Sequence, residues 1–185
     1  MFTGERVYLR SYDKKDIPSI LKFINDPEVN RNLAPGIPYP MDTLAEEKWI
    51  EQQSANREKK SFAILLKQTD EYMGGCGIND IDWKNRFATL GIFLGKPFWN
   101  QGYGTEAFGI LINFIFSEMN MNKVKLFVYS FNQRAIRSYE KCGFRVEGVL
   151  RQEIFRDGQY FDQIAMGLLF SEWKERKTAS QPKLL

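Results

Sequence analysis

Trp99-Asn100-Gln101-Gly102-Tyr103-Gly104-Thr105-Glu106-Ala107 joins one apolar run, Phe87–Leu94, to a longer one that ends at Met119. The first run has the length and apolar density of a strand. In residues 103–119, Ala107, Ile110, Leu111, Phe114 and Ile115 recur at three- and four-residue intervals, the period of a helix. A strand, a loop over 95–101 and a central packing helix are therefore expected. The first N–H groups of a helix have no carbonyl partner, and the helix dipole adds positive potential there. Gly102 and Gly104 allow close approaches that a Cβ obstructs, and Thr105 offers a hydroxyl. Residues 100–105 thus read as an anion site suited to phosphate. A loop that merely redirects the chain is the other reading of these glycines.

Two other phosphate motifs compete for the same stretch. Gly102-Tyr103-Gly104-Thr105-Glu106-Ala107 matches the glycine pattern of a dinucleotide fold. That fold also needs an acid at the end of the next strand to hold a ribose, where this chain reads Phe127-Val128-Tyr129-Ser130. A P-loop is excluded because Gly95-Lys96 is followed by Pro97 and lacks the earlier glycine.

Working outward, residues 6–10 read as a strand and 13–25 as a helix with Ile17, Ile20, Leu21 and Ile24 on one face. Residues 26–41 carry Pro27, Pro35, Pro38 and Pro40 and are expected to hold little regular structure. Asp42 caps a second helix with Ala45, Trp49 and Ile50 on its buried side. Residues 61–67, 72–79 and Phe87–Leu94 form an antiparallel meander. After the central helix come a buried strand, Lys123–Tyr129, and a helix over 132–141, capped by Asn132 and stopped by Gly143. Strands over 144–150 and 160–169 follow, with Asp157-Gly158 turning between them. The sum is a mixed α/β (α+β-like) fold: a mostly antiparallel twisted sheet of about seven strands with about four helices. Two strand–helix–strand crossovers are expected to supply a parallel portion. Residues 1–172 form a single domain in this reading, and 173–185 a polar tail.

The chain has 185 residues, 43% hydrophobic and 26% charged, which suits one globular core. No stretch is long and apolar enough to span a bilayer, and no signal peptide is readable, so a cytoplasmic address without membrane attachment is expected. A net charge of +3, spread along the chain, gives no footprint for nucleic acid. Cys76 and Cys142 lack metal or redox spacing and are expected as free thiols. There is no histidine, which removes Ser-His-Asp and Cys-His nucleophilic machinery and histidine-based zinc sites. No metal is expected. Any chemistry must use carboxylates, tyrosine, main-chain amides or a bound cosubstrate.

Asn132-Gln133-Arg134-Ala135-Ile136-Arg137-Ser138-Tyr139-Glu140-Lys141-Cys142-Gly143-Phe144 starts a helix directly after a buried strand. Together with Gln101-Gly102-Tyr103-Gly104, it resembles the GCN5-related N-acetyltransferase (GNAT) superfamily. Arg6-Val7-Tyr8-Leu9-Arg10 and Asn25-Asp26-Pro27-Glu28-Val29 resemble the branch with ribosomal-protein N-terminal and spermidine acetyltransferases. The resemblance covers roughly residues 3–170.

The resemblance implies that acetyl-CoA is the cosubstrate. A bulge in the fourth strand would splay it from the fifth, so that Ile92, Phe93 and Leu94 present main-chain groups to pantetheine. The diphosphate would rest on Asn100, Gln101, Gly102, Tyr103, Gly104 and Thr105, and Asn132 would meet the arm near its reactive end. Tyr139, two helical turns beyond Asn132, would protonate the departing thiolate. Arg134, Arg137 and Lys141 are candidates for the 3′-phosphate or are plain surface charge. The expected reaction is direct attack of a primary amine on the thioester, so Cys142 is not a nucleophile.

An amine with a pKa near 10.4 is about one part in a thousand neutral at pH 7, so a base or an ordered water is wanted. Many relatives carry Glu in strand four, where this chain reads Ala88-Thr89-Leu90-Gly91. Asp80, Asp82 and Glu153 are the alternatives. The acceptor stays open among a protein N-terminus, a polyamine, an amino sugar and other small amines. Residues 30–41 and the turn before Tyr160 are its expected walls. A homodimer stays open, as does a noncatalytic acyl-CoA-binding module of the same fold.

Overall fold

The computed structural model describes residues 2–33, 36–55 and 60–180. Seven strands form one sheet: β1 (Val7–Arg10), β2 (Ser61–Leu66), β3 (Tyr72–Asp82), β4 (Phe87–Leu94), β5 (Lys123–Tyr129), β6 (Arg145–Arg156) and β7 (Gln159–Leu169). Their order across the sheet is β1-β2-β3-β4-β5-β7-β6. The helices are α1 (Ile17–Ile24), α2 (Pro27–Asn30), α3 (Thr43–Ala55), α4 (Tyr103–Glu118), α5 (Gln133–Cys142) and α6 (Phe170–Ser180). Among the described residues, no helix is long and apolar enough to cross a membrane.

The meander β2 to β4 is antiparallel, as its runs predict, and β1 adds to its edge antiparallel to β2. Of the two crossovers, one supplies paired parallel strands, β4 and β5 joined through α4. The other ends on β6, and β7 lies between β5 and β6, antiparallel to both. The reason is the hairpin turn Asp157-Gly158, where φ is 50° and 78°. Positive φ at both central residues folds β7 tightly back along β6, which makes the two strands neighbours, and β7 is the one that pairs with β5.

Four local differences from the sequence reading have physical causes. Asp26 accepts from Glu28 N at 2.8 Å and Pro27 fits a first helical position, so the proline-rich segment begins with the short α2. In α4 the buried set includes Phe108, Ile112 and Phe116, because the helix is covered on more than its sheet side. There Phe108 meets Tyr139 of α5 at 5.4 Å, and Phe116 meets Trp173 of α6 at 5.2 Å. β6 runs on to Arg156 through two register shifts, at Glu147 and at 151–153. Residues 170–180 follow β7 as α6, so residues 173–180 of the expected polar tail are helical; residues 181–185 of that tail lie outside the described residues.

Asp42 caps α3 through its carboxylate to Ala45 N at 2.8 Å, and Gly143 ends α5 in the left-handed conformation at φ 102°. Both follow the expected cap chemistry. Under the sheet, Arg10 binds Asp16 with two 2.7 Å hydrogen bonds, which ties β1 to the start of α1.

Candidate active site

β4 and β5 pair only at Phe87, Ala88 and Thr89. Beyond Thr89 the two strands separate, which opens a gap along Leu90–Leu94. The extra residue at that point lies in β3 rather than in β4: Ile78 faces Leu90 and Asp80 faces Thr89, so Asn79 has no counterpart. The bulge therefore bends the sheet at the right place but from the neighbouring strand.

The gap is edged by main-chain groups. Trp99 Nε1 donates to the Leu94 carbonyl at 2.7 Å, so that carbonyl points away from β3. In an antiparallel pair successive residues point their main-chain groups to opposite sides, so Ile92 faces the gap as Leu94 does. Phe93 is the correction: alternation turns its main chain toward β3, and its ring lies beside Gly75. Of the three residues expected to meet pantetheine, Ile92 is the one with both main-chain groups uncommitted on that edge.

At the end of the gap the loop enters α4 through two left-handed residues, Asn100 at φ 60° and Gly102 at φ 83°. Such residues set among right-handed ones gather N–H groups into a concavity that receives anions. Among the described residues, nothing accepts from the N–H groups of residues 100–105. The first bond of the helix runs from Glu106 N to the Gly102 carbonyl at 3.1 Å. A Cβ on Gly104 would meet only Leu94 Cδ1 at 3.4 Å and Ile92 Cδ1 at 4.0 Å, so the protein itself does not require glycine there.

Other side chains brace this cradle. Arg6 Nη1 donates to the Gln101 carbonyl at 3.0 Å, and Arg6 Nε meets Glu106 Oε2 at 3.0 Å. Glu106 also accepts from the main-chain N–H groups of Arg6 and Val7 at 2.7 and 3.2 Å. Partial burial opposes its charge, but those N–H groups and the Arg6 guanidinium hold its carboxyl below the usual range. Gln101 Nε2 donates to the Pro97 carbonyl at 2.8 Å, so its side chain supports the loop. The Thr105 hydroxyl is shared with Ser138 at 2.8 Å and couples α4 to α5. The guanidinium of Arg134 lies 3.4 Å above the Trp99 ring, and desolvation lowers its pKa.

On α5, Asn132 Oδ1 accepts from Ala135 N at 3.2 Å. That spends its oxygen on the cap and leaves its amide donor toward the cleft. Tyr139 is 8% exposed, with its ring against Phe108 at 5.4 Å and Phe144 at 6.1 Å. Its hydroxyl has no hydrogen bond among the described residues, and burial pushes the phenol well above its ordinary value. The ring belongs to the core, yet the residue lines the same cleft as Ile92, Gly102, Gly104 and Asn132, a space of about 920 Å³. Arg137 and Lys141 line it too.

The expected bases are not brought into this cleft. Asp82 is committed to a turn, accepting from Asn85 N at 2.7 Å and Asn85 Nδ2 at 2.8 Å, and these bonds hold its pKa down. Asp80 and Glu153 are exposed and lie outside the lining. The carboxylate that does line the cleft, alone among the described residues, is Glu46 of α3, which is 5% exposed. Sequence reasoning missed it, because a buried face was sought among apolar residues. The expected acceptor walls meet: Arg31, beyond α2, pairs with Asp157 of the β6–β7 turn at 2.7 Å. Tyr129 Oη donates to the Leu33 carbonyl at 2.6 Å, while residues 34 and 35 of that wall lie outside the described residues. Both cysteines are free thiols; burial pushes Cys142 up to about 12 and also raises Cys76.

A splayed parallel pair beside an unpaired amide nest leaves free main-chain groups along one strand edge and free donors at its end, an arrangement suited to an extended, anionic ligand. The sequence matches the family described as Acetyltransferase (GNAT) domain over residues 6–145. The chain belongs to this acetyltransferase family. It is 31% identical over 173 residues to the uncharacterized N-acetyltransferase p20 of Bacillus licheniformis, covering 91% of this chain and 96% of that protein. It is 27% identical over 190 residues to the spermidine N(1)-acetyltransferase of Escherichia coli (strain K12), covering 100% of this chain and 97% of the relative. Among solved structures, spermidine N-acetyltransferase of Vibrio cholerae, in complex with CoA and spermine, superposes with a TM-score of 0.83. That match has 23% identity and covers 92% of this chain and 99% of the other.

Proposed function

We propose that the protein transfers the acetyl group of acetyl-CoA to a primary amine by direct attack in a ternary complex, with Tyr139 as general acid. The observation that carries this reading is one continuous cleft. It joins the unpartnered N–H groups of residues 100–105, the free edge of β4 and the unbonded Tyr139 hydroxyl. The amide nest receives the diphosphate, and the Ile92 main chain pairs with the pantetheine arm. The Asn132 amide donates near the thioester, and Arg137 and Lys141 stand ready for a further phosphate.

The β4 edge holds the thioester carbonyl while the neutral amine adds to its carbon. A C–N bond forms, the C–S bond breaks, and the departing sulfur takes the Tyr139 proton. The acetylated nitrogen sheds one proton, which restores the phenol. A phenol raised by burial stays protonated at working pH and gives its proton only to a strong base. A thiolate expelled into the same unhydrated pocket is such a base. Cys142 has no part in the step, since burial keeps its thiol protonated. Spermidine acetyltransferases among the relatives favour a polyamine in the acceptor panel, beside N-terminal peptides and amino sugars.

The test is transfer from acetyl-CoA to that panel by wild type and Tyr139→Phe, with acetyl-CoA binding followed by calorimetry. Loss of the acid should lower kcat by about a hundredfold or more with binding retained. Binding without transfer by wild type to any amine refutes the reading and leaves a noncatalytic acyl-CoA-binding module.

A further inference from the structure

The cleft has two faces, joined through the gap between β4 and β5. Ile92 and Leu94 point their side chains toward the start of α4, since a Cβ on Gly104 would meet both. Phe93 alternates to the opposite face of the sheet, where its ring and the Tyr12 hydroxyl crowd over Gly75. Tyr12 packs edge-on against Trp49 of α3 at 4.9 Å. Trp49 follows Glu46 by three residues, so the two share a helix face, and both line the cleft. Glu46 is 5% exposed and, among the described residues, its carboxylate has neither an ion pair nor a hydrogen bond. Burial raises its pKa, and it acts electrostatically on Tyr12 and Tyr72.

A buried carboxylate without a partner is costly, and a cation that arrived to pair with it would relieve that cost. Here the flanking groups identify the visitor. Indole and phenol rings attract cations at their faces, and a desolvated carboxylate attracts them more strongly. Arg134 and the amide nest belong to the other face, so the cleft is divided into an anion-receiving half and a cation-receiving half. The cation is not the reacting nitrogen. An amine paired with a carboxylate keeps its proton and loses nucleophilicity, and Glu46 acts on residues over β3, one strand beyond β4. A group held there lies about one to two strand spacings, roughly 5–10 Å, from the gap where the thioester carbon must sit.

We propose that Glu46, with Trp49 and Tyr12, forms a subsite for a second, non-reacting ammonium group of the acceptor, and so selects amines that carry two positive charges. This rests on the amine acetyltransferase reading above. The experiment compares putrescine with n-butylamine, equal in chain length and differing in the second charge, in wild type, Glu46→Gln and Glu46→Asp. Wild type should prefer the diamine in kcat/KM by about tenfold or more, the worth of one charged hydrogen bond. Glu46→Gln should erase most of that preference through KM for the diamine, and Glu46→Asp should keep part of it.

A second measurement needs no variant. The fully N-methylated diamine, which cannot be acetylated, should inhibit wild type competitively and more strongly than N,N-dimethylbutylamine. An unchanged diamine preference in Glu46→Gln, or equal inhibition by the two methylated amines, overturns the subsite while leaving acetyl transfer intact. Absence of transfer to any amine overturns the enzymatic reading and the subsite with it.

Discussion

Replacing Gly104 with alanine separates a glycine kept for the fold from one kept for the ligand. The second residue of α4 has ordinary helical backbone, and the new methyl would sit 3.4 Å from Leu94 Cδ1, a normal contact. Alanine restricts the unfolded chain, so the protein alone should gain about 0.4–1 kcal/mol and melt about 1–4 °C higher. The same methyl projects into the cleft beside N–H groups that have no partner among the described residues. If those groups hold a diphosphate, pushing it outward weakens charge-assisted bonds worth about 1.5–3 kcal/mol each. A tenfold loss of affinity, about 1.4 kcal/mol, is then a modest expectation. At a concentration of acetyl-CoA one hundred times the wild-type Kd, wild type gains about 2.7 kcal/mol and the variant about 1.4 kcal/mol. Thermal melts with and without acetyl-CoA should show a more stable variant whose ligand-induced shift is about half that of wild type. A variant that binds acetyl-CoA as tightly as wild type refutes the cradle.

Two further outcomes follow from buried groups. Cys142, pushed up to about 12, should react with a disulfide reagent at pH 8 about a thousandfold more slowly than a free thiol, and at ordinary rate once urea unfolds the chain. Fast labelling of the folded protein would contradict that raised pKa. Glu46 has a folded pKa raised by burial, so the folded state binds its proton more tightly than the unfolded state does. Its favourable contribution is complete below the unfolded pKa and is lost as pH rises through the folded value. Glu46→Gln should therefore match wild type near pH 4 and exceed it by about 1–2 kcal/mol at pH 7, measured by urea denaturation at both values. Equal stability at pH 7 would mean that the carboxylate has found a partner.

What was legible in the sequence is what local chemistry determines. Strand β4, the entry to α4, the Asn132 cap and the Gly143 stop each rest on a few adjacent residues, and each stands where the residues put it. The bulge that opens the cleft was less legible, since an extra residue in β3 appears only when Ile78 and Asp80 are set against Leu90 and Thr89. Register is a relation between strands, and no single strand carries it. The β7 insertion between β5 and β6 was hidden for the same reason: nothing within either strand says which edge the hairpin will take.

Glu46 was hidden differently. In Thr43–Ala55 the apolar residues mark no continuous stripe, and Leu44 is 60% exposed while Glu46 is 5% exposed. Hydrophobic patterning assigns the buried face to apolar residues and is right wherever burial serves stability. It fails where a protein buries a charge for a ligand, because the compensating partner is absent from the chain. The failure is itself informative: a carboxylate that local rules place in water is found instead lining the cleft with Trp49 and Tyr12, which is what the proposed ammonium subsite requires. The same logic holds for the amide nest, whose N–H groups have no acceptor among the described residues. Among the described residues the cleft carries opposite deficits, donors without acceptors at α4 and a carboxyl group without a cation at α3. An anionic thioester and a cationic amine meeting across β4 would satisfy both at once.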